Sequence, residues 1–404
     1  MYRVSSFVRH FAWALLCGAG VATLWVNISP SSYYDAVEWR IVDLTLPALV
    51  AAGPIGLTSQ ILVADLFMAL FLVFIGKELW EALVLRRGAL SGRQAIMPGA
   101  MTVGAMGGAI IFWLALSTLL QTAEEAAPGM GWYLPAASDV VLCYVIGRRV
   151  FGPDHPALHV LLLVTIASDI AALVFHGVAM LQDASRLVWL LLPLVAGMTA
   201  WRMFGHAPRA DATEQDRRRL QVVWPYVVAG VVSWIGVAAS GLPPALGLLP
   251  IVPAIAHADR AFSIFAEVEH LLHDPLNRLA RALVVPVTAV LFCFGLTHGG
   301  IDAQALAPTT FIVLGALWIG KPLGCIAATI GAGLIFGLRL PSGLSLRDLV
   351  LIAVILGMGF TLPALMLDPA LPGGAVREAA RMGFAVSLFA GPLAILAARL
   401  LRPA

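Results

Sequence analysis

The sequence predicts an all-α polytopic membrane protein with about 12 transmembrane helices. Of its 404 residues, 60% are hydrophobic and only 12% are charged, and the mean hydropathy is +0.91. These values lie outside the range of soluble domains. Apolar runs of about 20 residues, the length that crosses a bilayer as a helix, recur along the chain with short polar segments between them. The composition therefore implies a lipid bilayer as the first partner.

Each apolar run is taken as one predicted span. In chain order the spans are 8–28, 60–84, 97–120, 132–152, 157–181, 186–204, 222–241, 243–258, 281–297, 309–334, 349–368 and 377–400. The first follows Arg3 and Arg9, as a signal peptide would, but no small-residue cleavage site comes after it. We therefore predict that it is a retained helix.

Arginines predict the orientation, because cationic loops stay in the cytoplasm while a span inserts. They follow the second, fourth, sixth and eighth spans, and the alternate loops contain few, with Arg40, Arg186, Arg377 and Arg381 as exceptions. Both termini are therefore predicted to be cytoplasmic. The net charge of +2 is distributed along these loops rather than gathered in one patch, so no nucleic-acid partner is indicated.

The stretch 256–281 is the least hydrophobic segment between spans. Its apolar residues recur at helical spacing with charges between them, which predicts an amphipathic linker at the membrane surface. Within it, Glu269, His270 and His273 are candidates for a pH-sensing cluster. A solvated face of the linker explains these three residues equally well.

Two predicted spans are interrupted by glycine or proline. One contains GWYLPAASD, with Pro135 just before Asp139, and the other contains ILGMGFTLP, with Gly357, Gly359 and Thr361. Proline removes a backbone donor and blocks the preceding turn, so amide and carbonyl groups are exposed within the membrane. Corresponding breaks in two halves of a chain are typical of discontinuous helices around an ion site.

Asp169 is the residue that most strongly indicates a function. It lies in LLLVTIASDIAALVF, and the apolar residues on both sides place it near the middle of the bilayer. A carboxylate at that depth either takes up a proton or binds a cation, and such competition links two ion gradients. Ser168 beside it adds a neutral oxygen ligand suited to an alkali cation. The alternative is an aspartate that only bonds a neighbouring helix.

Two more charges lie in apolar surroundings. Asp139 is predicted to offset the partial positive charges of two facing helix N-termini, with direct cation ligation as the alternative. Lys321 needs a carboxylate partner or must lose its proton, and Asp169 is the partner we predict. The alternative for Lys321 is a permanent structural ion pair that holds two helices together.

Other polar residues in the spans have simpler explanations. Lys77, Glu78 and Glu81 lie near a cytoplasmic span end, where snorkelling and solvation account for them. His176 follows Asp169 by two helical turns and is predicted to be a satisfied helix histidine. A proton path toward the far side is the alternative for His176.

Six segments in a fixed order resemble the NhaA-type sodium/proton antiporters, a fold built from inverted repeats. The resemblance covers roughly residues 60 to 395 and rests on order and spacing together. The segments are DLFMALFLVFIGKE from Asp65, GWYLPAASD from Gly131, TIASDIAAL from Thr165, EHLLHDPLNRLARALVVPV from Glu269, IGKPLG from Ile319 and GMGFT from Gly357.

The resemblance implies roles for particular residues. Asp139 stands at the family's aspartate in the unwound fourth helix, Asp169 at the second member of its Asp-Asp pair, and Lys321 at its tenth-helix lysine. Glu78 matches a carboxylate of the cytoplasmic funnel and is thereby a further candidate for the pH response, and Glu269 matches one assigned to that response.

The sequence also departs from the family's pattern. Ser138 replaces a threonine, and Pro243 stands where the family has a histidine. Above all, Ser168 replaces the first aspartate of the pair, so one titratable carboxylate is missing. Exchange of two protons per sodium requires two acceptors, which predicts one-for-one, electroneutral exchange with Lys321 paired to Asp169 when no cation is bound.

The predicted function is secondary active cation/proton antiport, with Na⁺ or Li⁺ bound transiently at Asp169 during alternating access. We expect no cofactor and no enzymatic activity, since no nucleotide-binding loop or catalytic constellation is present outside the spans. The predicted location is a bacterial inner membrane. A carrier of another small solute or anion, and a transport-inactive sensor or partner protein, are the alternatives.

The chain, 1–404, is predicted to be one transmembrane unit with two parts. A core comprises approximately 97–181 and 309–400, and an interface or dimer part comprises approximately 1–96 and 186–297. A homodimer is left open by the sequence.

Overall fold

The computed structural model describes nine stretches of the chain. They are residues 7–44, 55–84, 95–120, 129–181, 183–205, 222–255, 275–338, 340–341 and 343–401. Most of the predicted linker 256–281 lies outside the described residues, and so do Glu269, His270 and His273. Only its last residues are seen, at the start of a helix that begins at Pro275.

Fifteen helices are named here in chain order, within the described residues. They are α1 (Phe7–Ile28), α2 (Pro30–Val37), α3 (Met68–Val84), α4 (Ile96–Leu120), α5 (Val140–Phe151), α6 (Pro156–Met180), α7 (Leu191–Phe204), α8 (Trp224–Ser240), α9 (Pro275–His298), α10 (Pro308–Gly315), α11 (Lys321–Phe336), α12 (Leu346–Leu356), α13 (Thr361–Ala370), α14 (Ala375–Ser387) and α15 (Ala390–Leu400).

Short helical segments extend several of these helices. A turn at Ser59–Ile61 and a π-helix at Leu62–Phe67 lead into α3, and a π-helix at Ala316–Gly320 joins α10 to α11. The 3₁₀ segment Ala184–Leu190 leads into α7. A π-helical turn inserts an extra residue and shifts the faces of the helix that follows. Lys321 comes directly after the second π-helix.

The fold class predicted from the sequence is confirmed. The described residues contain eight helices that are long and apolar enough to cross a membrane, and the bent pair α12 and α13 makes a ninth. The pair meets at an angle of 41° across the predicted break. Two further apolar helices, Trp224–Ser240 and Pro244–Ala254, are shorter than that length.

Three predicted spans are shorter or less regular than the sequence suggested. The span 132–152 is a 3₁₀ turn at Leu134–Ala136 followed by α5, and 222–241 is α8, with 17 residues. The span 243–258 is a 3₁₀ segment, Pro244–Ala254, with two internal prolines. Proline cannot donate the backbone bond of an α-helix, so proline spacing prevents a regular helix there.

Glycines allow α4 to cross α11 at close range. A Cβ atom added at Gly108 would lie 2.7 Å from the Cα of Gly324, and one added at Gly320 would lie 2.6 Å from the carbonyl oxygen of Gly108. Small residues at a helix crossing let the backbones approach, which is the usual basis of helix packing in a membrane. This crossing positions the end of α11 that begins at Lys321.

A β-hairpin and α2 follow α1, and the sequence analysis predicted neither. The hairpin pairs β1 (Arg40–Leu44) with β2 (Ile55–Thr58) in antiparallel fashion. In α2, burial raises the pKa of Tyr33 to about 12, so its hydroxyl stays protonated and donates to the carbonyl of Leu296 at 3.1 Å. That bond fixes α2 against the end of α9.

Candidate functional site

Two helix N-termini meet at the centre of the protein. α5 begins at Val140 after the turn that contains Pro135, and α13 begins at Thr361 after the glycines Gly357 and Gly359. Both are buried within the protein, so their first N–H groups cannot be satisfied by water. Each N-terminus also has a partial positive charge. A buried anion between them meets both requirements.

Asp139 supplies that anion. Its Oδ1 accepts a bond from the N–H of Leu142 at 2.9 Å, which caps its own helix. Its Oδ2 accepts from the N–H of Thr361 at 3.0 Å and also from the Thr361 hydroxyl, which caps the opposite helix. The side chain is 0% exposed. The structure therefore gives Asp139 the geometry of a cap on both helices, and neither oxygen is left without a donor.

Asp169 lies beside this crossing, on α6. Its Oδ1 accepts a bond of 2.7 Å from the N–H of Ser138. Its Oδ2 is buried and has no hydrogen-bond partner among the described residues. A buried carboxylate oxygen without a donor is costly, and binding of a proton or a cation removes that cost. Asp169 thus differs from Asp139, whose two oxygens are both bonded.

Lys321, at the start of α11, contacts the unwound segment before α5. Its amine donates to the carbonyl oxygen of Ala137 at 2.5 Å, and its side chain is 0% exposed. The carbonyl of Ala137 and the N–H of Ser138 belong to one peptide group. That peptide group therefore bonds Lys321 through its oxygen and Asp169 through its nitrogen.

The predicted ion pair between Lys321 and Asp169 is not a direct contact: among the described residues no salt bridge within 4.0 Å joins them, although the two charges still attract each other across the site. The physical reason is the unwound segment. Because Pro135 interrupts the helix, the carbonyl of Ala137 has no helical donor, and the lysine amine supplies one. The Asp169 carboxylate accepts a hydrogen bond from the N–H of the same peptide group.

The two serines of the site are also buried. Ser138 donates from its hydroxyl to the carbonyl of Leu356 at 3.3 Å, which links the two broken spans. Ser168 donates to the carbonyl of Thr165 at 2.9 Å within α6. Each hydroxyl oxygen still has acceptor capacity, so both can offer a neutral ligand near Asp169.

Ser387 is a residue that the sequence analysis missed. Its hydroxyl contacts the N–H and the carbonyl of Gly359, each at 3.1 Å, and also the carbonyl of Phe384 at 2.6 Å. It thereby satisfies the backbone at the second helix break. A serine within the predicted span 377–400 was the available signal, but its partner lies 28 residues away.

The expectation that Lys77, Glu78 and Glu81 are solvated was wrong for two of them. Lys77 is 1% exposed and Glu81 is 6% exposed, and their charged groups lie 3.2 Å apart. Glu78 is 3.9 Å from the same amine and partly buried. The i, i+4 spacing allows the pair to neutralise itself inside the protein. α3 packs here against the segment Pro244–Ala254, which excludes solvent.

The whole chain is similar to proteins of known family. The Na⁺/H⁺ antiporter 1 family matches residues 7–398. The chain belongs to this family. One member, the Na(+)/H(+) antiporter NhaA of Jannaschia sp. (strain CCS1), is 38% identical over 99% of this chain and 98% of its own length.

Other members of the family are similar over nearly the whole chain. The Na(+)/H(+) antiporter NhaA 2 of Pelobacter propionicus is 31% identical and covers 98% of this chain and 97% of its own length. Among solved structures, the sodium proton antiporter MjNhaP1 of Methanocaldococcus jannaschii aligns over 96% of this chain and 98% of that chain, with a TM-score of 0.52 at 12% identity. That likeness supports the fold alone.

Proposed function

We propose that this chain is a secondary active Na⁺/H⁺ antiporter in which Asp169 binds either a proton or the cation. The family of the chain consists of proteins named as Na⁺/H⁺ antiporters, which are transporters and not enzymes. The observation that supports Asp169 as the exchange site is its buried Oδ2, which has no hydrogen-bond partner among the described residues. The gradients of the two ions supply the energy, and no cofactor takes part.

Competition at a single carboxylate couples the two ions. With the cation absent, a proton on Oδ2 neutralises Asp169 in its dry surroundings. When Na⁺ enters, it takes the place of the proton, and Ser138 and Ser168 add neutral oxygen ligands. Proton and cation cannot both occupy the carboxylate, so movement of one drives the other in the opposite direction.

Asp139 and Lys321 hold the site in shape under this proposal. Asp139 keeps the two helix N-termini together, and its carboxylate stays with its three donors throughout the cycle. Lys321 holds the peptide that contains the Ser138 N–H, and so positions the donor on Asp169. With the position before Asp169 occupied by serine, one carboxylate exchanges one proton for one cation, which is electroneutral.

The two parts predicted from the sequence fit alternating access. The core, approximately 97–181 and 309–400, would move against the interface part, approximately 1–96 and 186–297. We place the chain in a bacterial inner membrane with both termini in the cytoplasm, on the basis of its arginine distribution. A homodimer through the interface part is compatible with this arrangement.

The proposal is tested with purified protein in proteoliposomes that contain a pH-sensitive dye. Addition of Na⁺ or Li⁺ should drive proton efflux or uptake in the wild type, and Asp169→Asn should abolish it. Asp154→Asn is the matched control, because Asp154 is exposed at the loop before α6. Setting the membrane potential with K⁺ and valinomycin should leave the Na⁺-driven rate unchanged.

Three outcomes would contradict the proposal in different ways. No proton movement with any alkali cation would remove the antiporter assignment and favour another solute. Full activity in Asp169→Asn would leave antiport intact but move the exchange site elsewhere. A rate that changes with membrane potential would exclude one-for-one exchange.

A further inference from the structure

A cavity of about 670 Å³ lies where the C-terminal end of α6 meets the interface part of the chain. On one side it is lined by Gln60 and His298, and on the other by Leu173 and His176 of α6 and by Asp368 of α13. The walls therefore come from both of the proposed moving parts. The polar side chains among its lining residues make it a place where water and ions can reach the protein interior.

Two buried polar groups, one in the cavity wall and one packed behind it, have no hydrogen-bond partner among the described residues. They are the Nδ1 atom of His176 and the hydroxyl of Tyr133. His176 is 8% exposed and Tyr133 is 2% exposed, and their rings lie 5.1 Å apart between centroids. The prediction of a satisfied histidine therefore does not hold for its Nδ1 atom. Buried polar groups normally find partners, so this pair is suited to hold water.

The pair lies on the route from the cavity to Asp169. His176 follows Asp169 by seven residues on the same helix, about 10 Å along its axis. Leu173 lies between them on the same face, because positions i, i+4 and i+7 of a helix line up. Leu173 is 0% exposed and also lines the cavity. Tyr133 begins the turn that continues to Ser138, whose N–H bonds Asp169.

We propose that His176 and Tyr133 form a water-holding station through which protons pass between Asp169 and this cavity, with Leu173 as the apolar barrier that closes the route. The proposal deepens the proposed function and rests on it. Neither side chain binds the transported cation here. Both act by positioning water beside the barrier.

The proton passes along a chain of water molecules, and each water gains one proton and releases another. When Leu173 moves aside, the O–H bond of protonated Asp169 breaks, and a new O–H bond forms on the nearest water. That water releases a different proton to the next water, which Tyr133 and His176 hold by hydrogen bonds. The last water releases a proton into the cavity, and the carboxylate left behind binds the incoming cation.

The test compares four variants in the same proteoliposome assay. His176→Phe and Tyr133→Phe remove the water-holding atoms and should slow Na⁺-driven proton flux about fivefold, the effect of one lost hydrogen bond in the rate-limiting step. His176→Gln keeps polar atoms and should stay within about twofold of wild type. His159→Phe is the matched control, an exposed histidine at the other end of α6, and should also stay within that limit.

The Na⁺ concentration for half-maximal rate should be unchanged in all four variants, since the station does not touch the cation. Tyr133→Phe removes a single oxygen from a ring that stays in place, so it keeps the test valid if His176→Phe does not fold. Phe variants as fast as His159→Phe would overturn the proposal. So would His176→Gln as slow as His176→Phe. Absence of flux in the wild type would instead count against the proposed function itself.

Discussion

Removal of the Asp139 carboxylate should destabilise the protein more than any single loss of a surface charge. Its two oxygens accept from the Leu142 N–H at 2.9 Å, from the Thr361 N–H at 3.0 Å and from the Thr361 hydroxyl. In Asp139→Ala the hydroxyl can rotate toward another acceptor, but the two backbone donors cannot move. Two buried N–H groups at the crossing of α5 and α13 are then left without partners.

The size of the loss follows from these two donors. A buried unsatisfied donor costs about 1–3 kcal/mol, so Asp139→Ala should lower the free energy of unfolding by about 2–6 kcal/mol. Asp139→Asn keeps one acceptor oxygen, which can cap one helix but not both. Asp139→Asn should therefore lower the free energy of unfolding by about half as much as Asp139→Ala, roughly 1–3 kcal/mol.

The measurement is unfolding of the purified protein in mixed detergent micelles with increasing sodium dodecyl sulphate, followed by tryptophan fluorescence. Asp154→Ala is the control, because it removes an exposed carboxylate from the loop between α5 and α6. The expected order of stability is Asp154→Ala, then Asp139→Asn, then Asp139→Ala. Unfolding of Asp139→Ala at the same detergent fraction as Asp154→Ala would show that the two caps do not stabilise the protein.

Three more predictions address packing, coupling and the peptide link. Gly324→Ala should reduce the thermal stability in detergent, because its methyl group would overlap the backbone of α4, whereas Gly331→Ala on the same helix has nothing within 4 Å and should not. Equal melting temperatures for the two would contradict this. Ser168→Asp restores a second carboxylate and should make Na⁺-driven proton flux in proteoliposomes respond to membrane potential; a potential-independent rate in an active variant would oppose it. Lys321→Met leaves the carbonyl of Ala137 without its donor and should slow transport severely, with Lys321→Arg less affected; equal rates for Met and wild type would argue against the peptide link.

Much of the fold was predictable from local sequence. The long apolar runs of α1, α4, α6 and α9 were each placed correctly, because hydropathy acts within a window of about 20 residues. The break before α13 was predicted from Gly357 and Gly359, because glycine weakens a helix at its own position. The segment Pro244–Ala254 was not, because its hydropathy is that of a span while its prolines prevent a regular helix.

Side-chain partners at the site were harder to predict. Lys321 and Asp169 were paired by charge, since opposite charges in hydrocarbon attract strongly. In the structure, Lys321 instead donates to the carbonyl oxygen of the peptide between Ala137 and Ser138, and Asp169 accepts from the N–H of the same peptide. A sequence pattern identifies which side chains need hydrogen-bond or charge partners. The N–H and carbonyl groups of an unwound backbone are also available as partners, and the path of the turn decides where these groups point.

The sequence by itself determined that this protein lies in a membrane, that two of its spans are interrupted, and that Asp169 is a carboxylate within apolar surroundings. These are properties of short windows, set by hydropathy, proline and glycine. Only the tertiary structure decided which atoms meet. The bonds that define the site join residues 31, 184 and 222 positions apart. Contacts over such separations depend on how the helices cross, and the helix crossing depends on the packing of the whole chain.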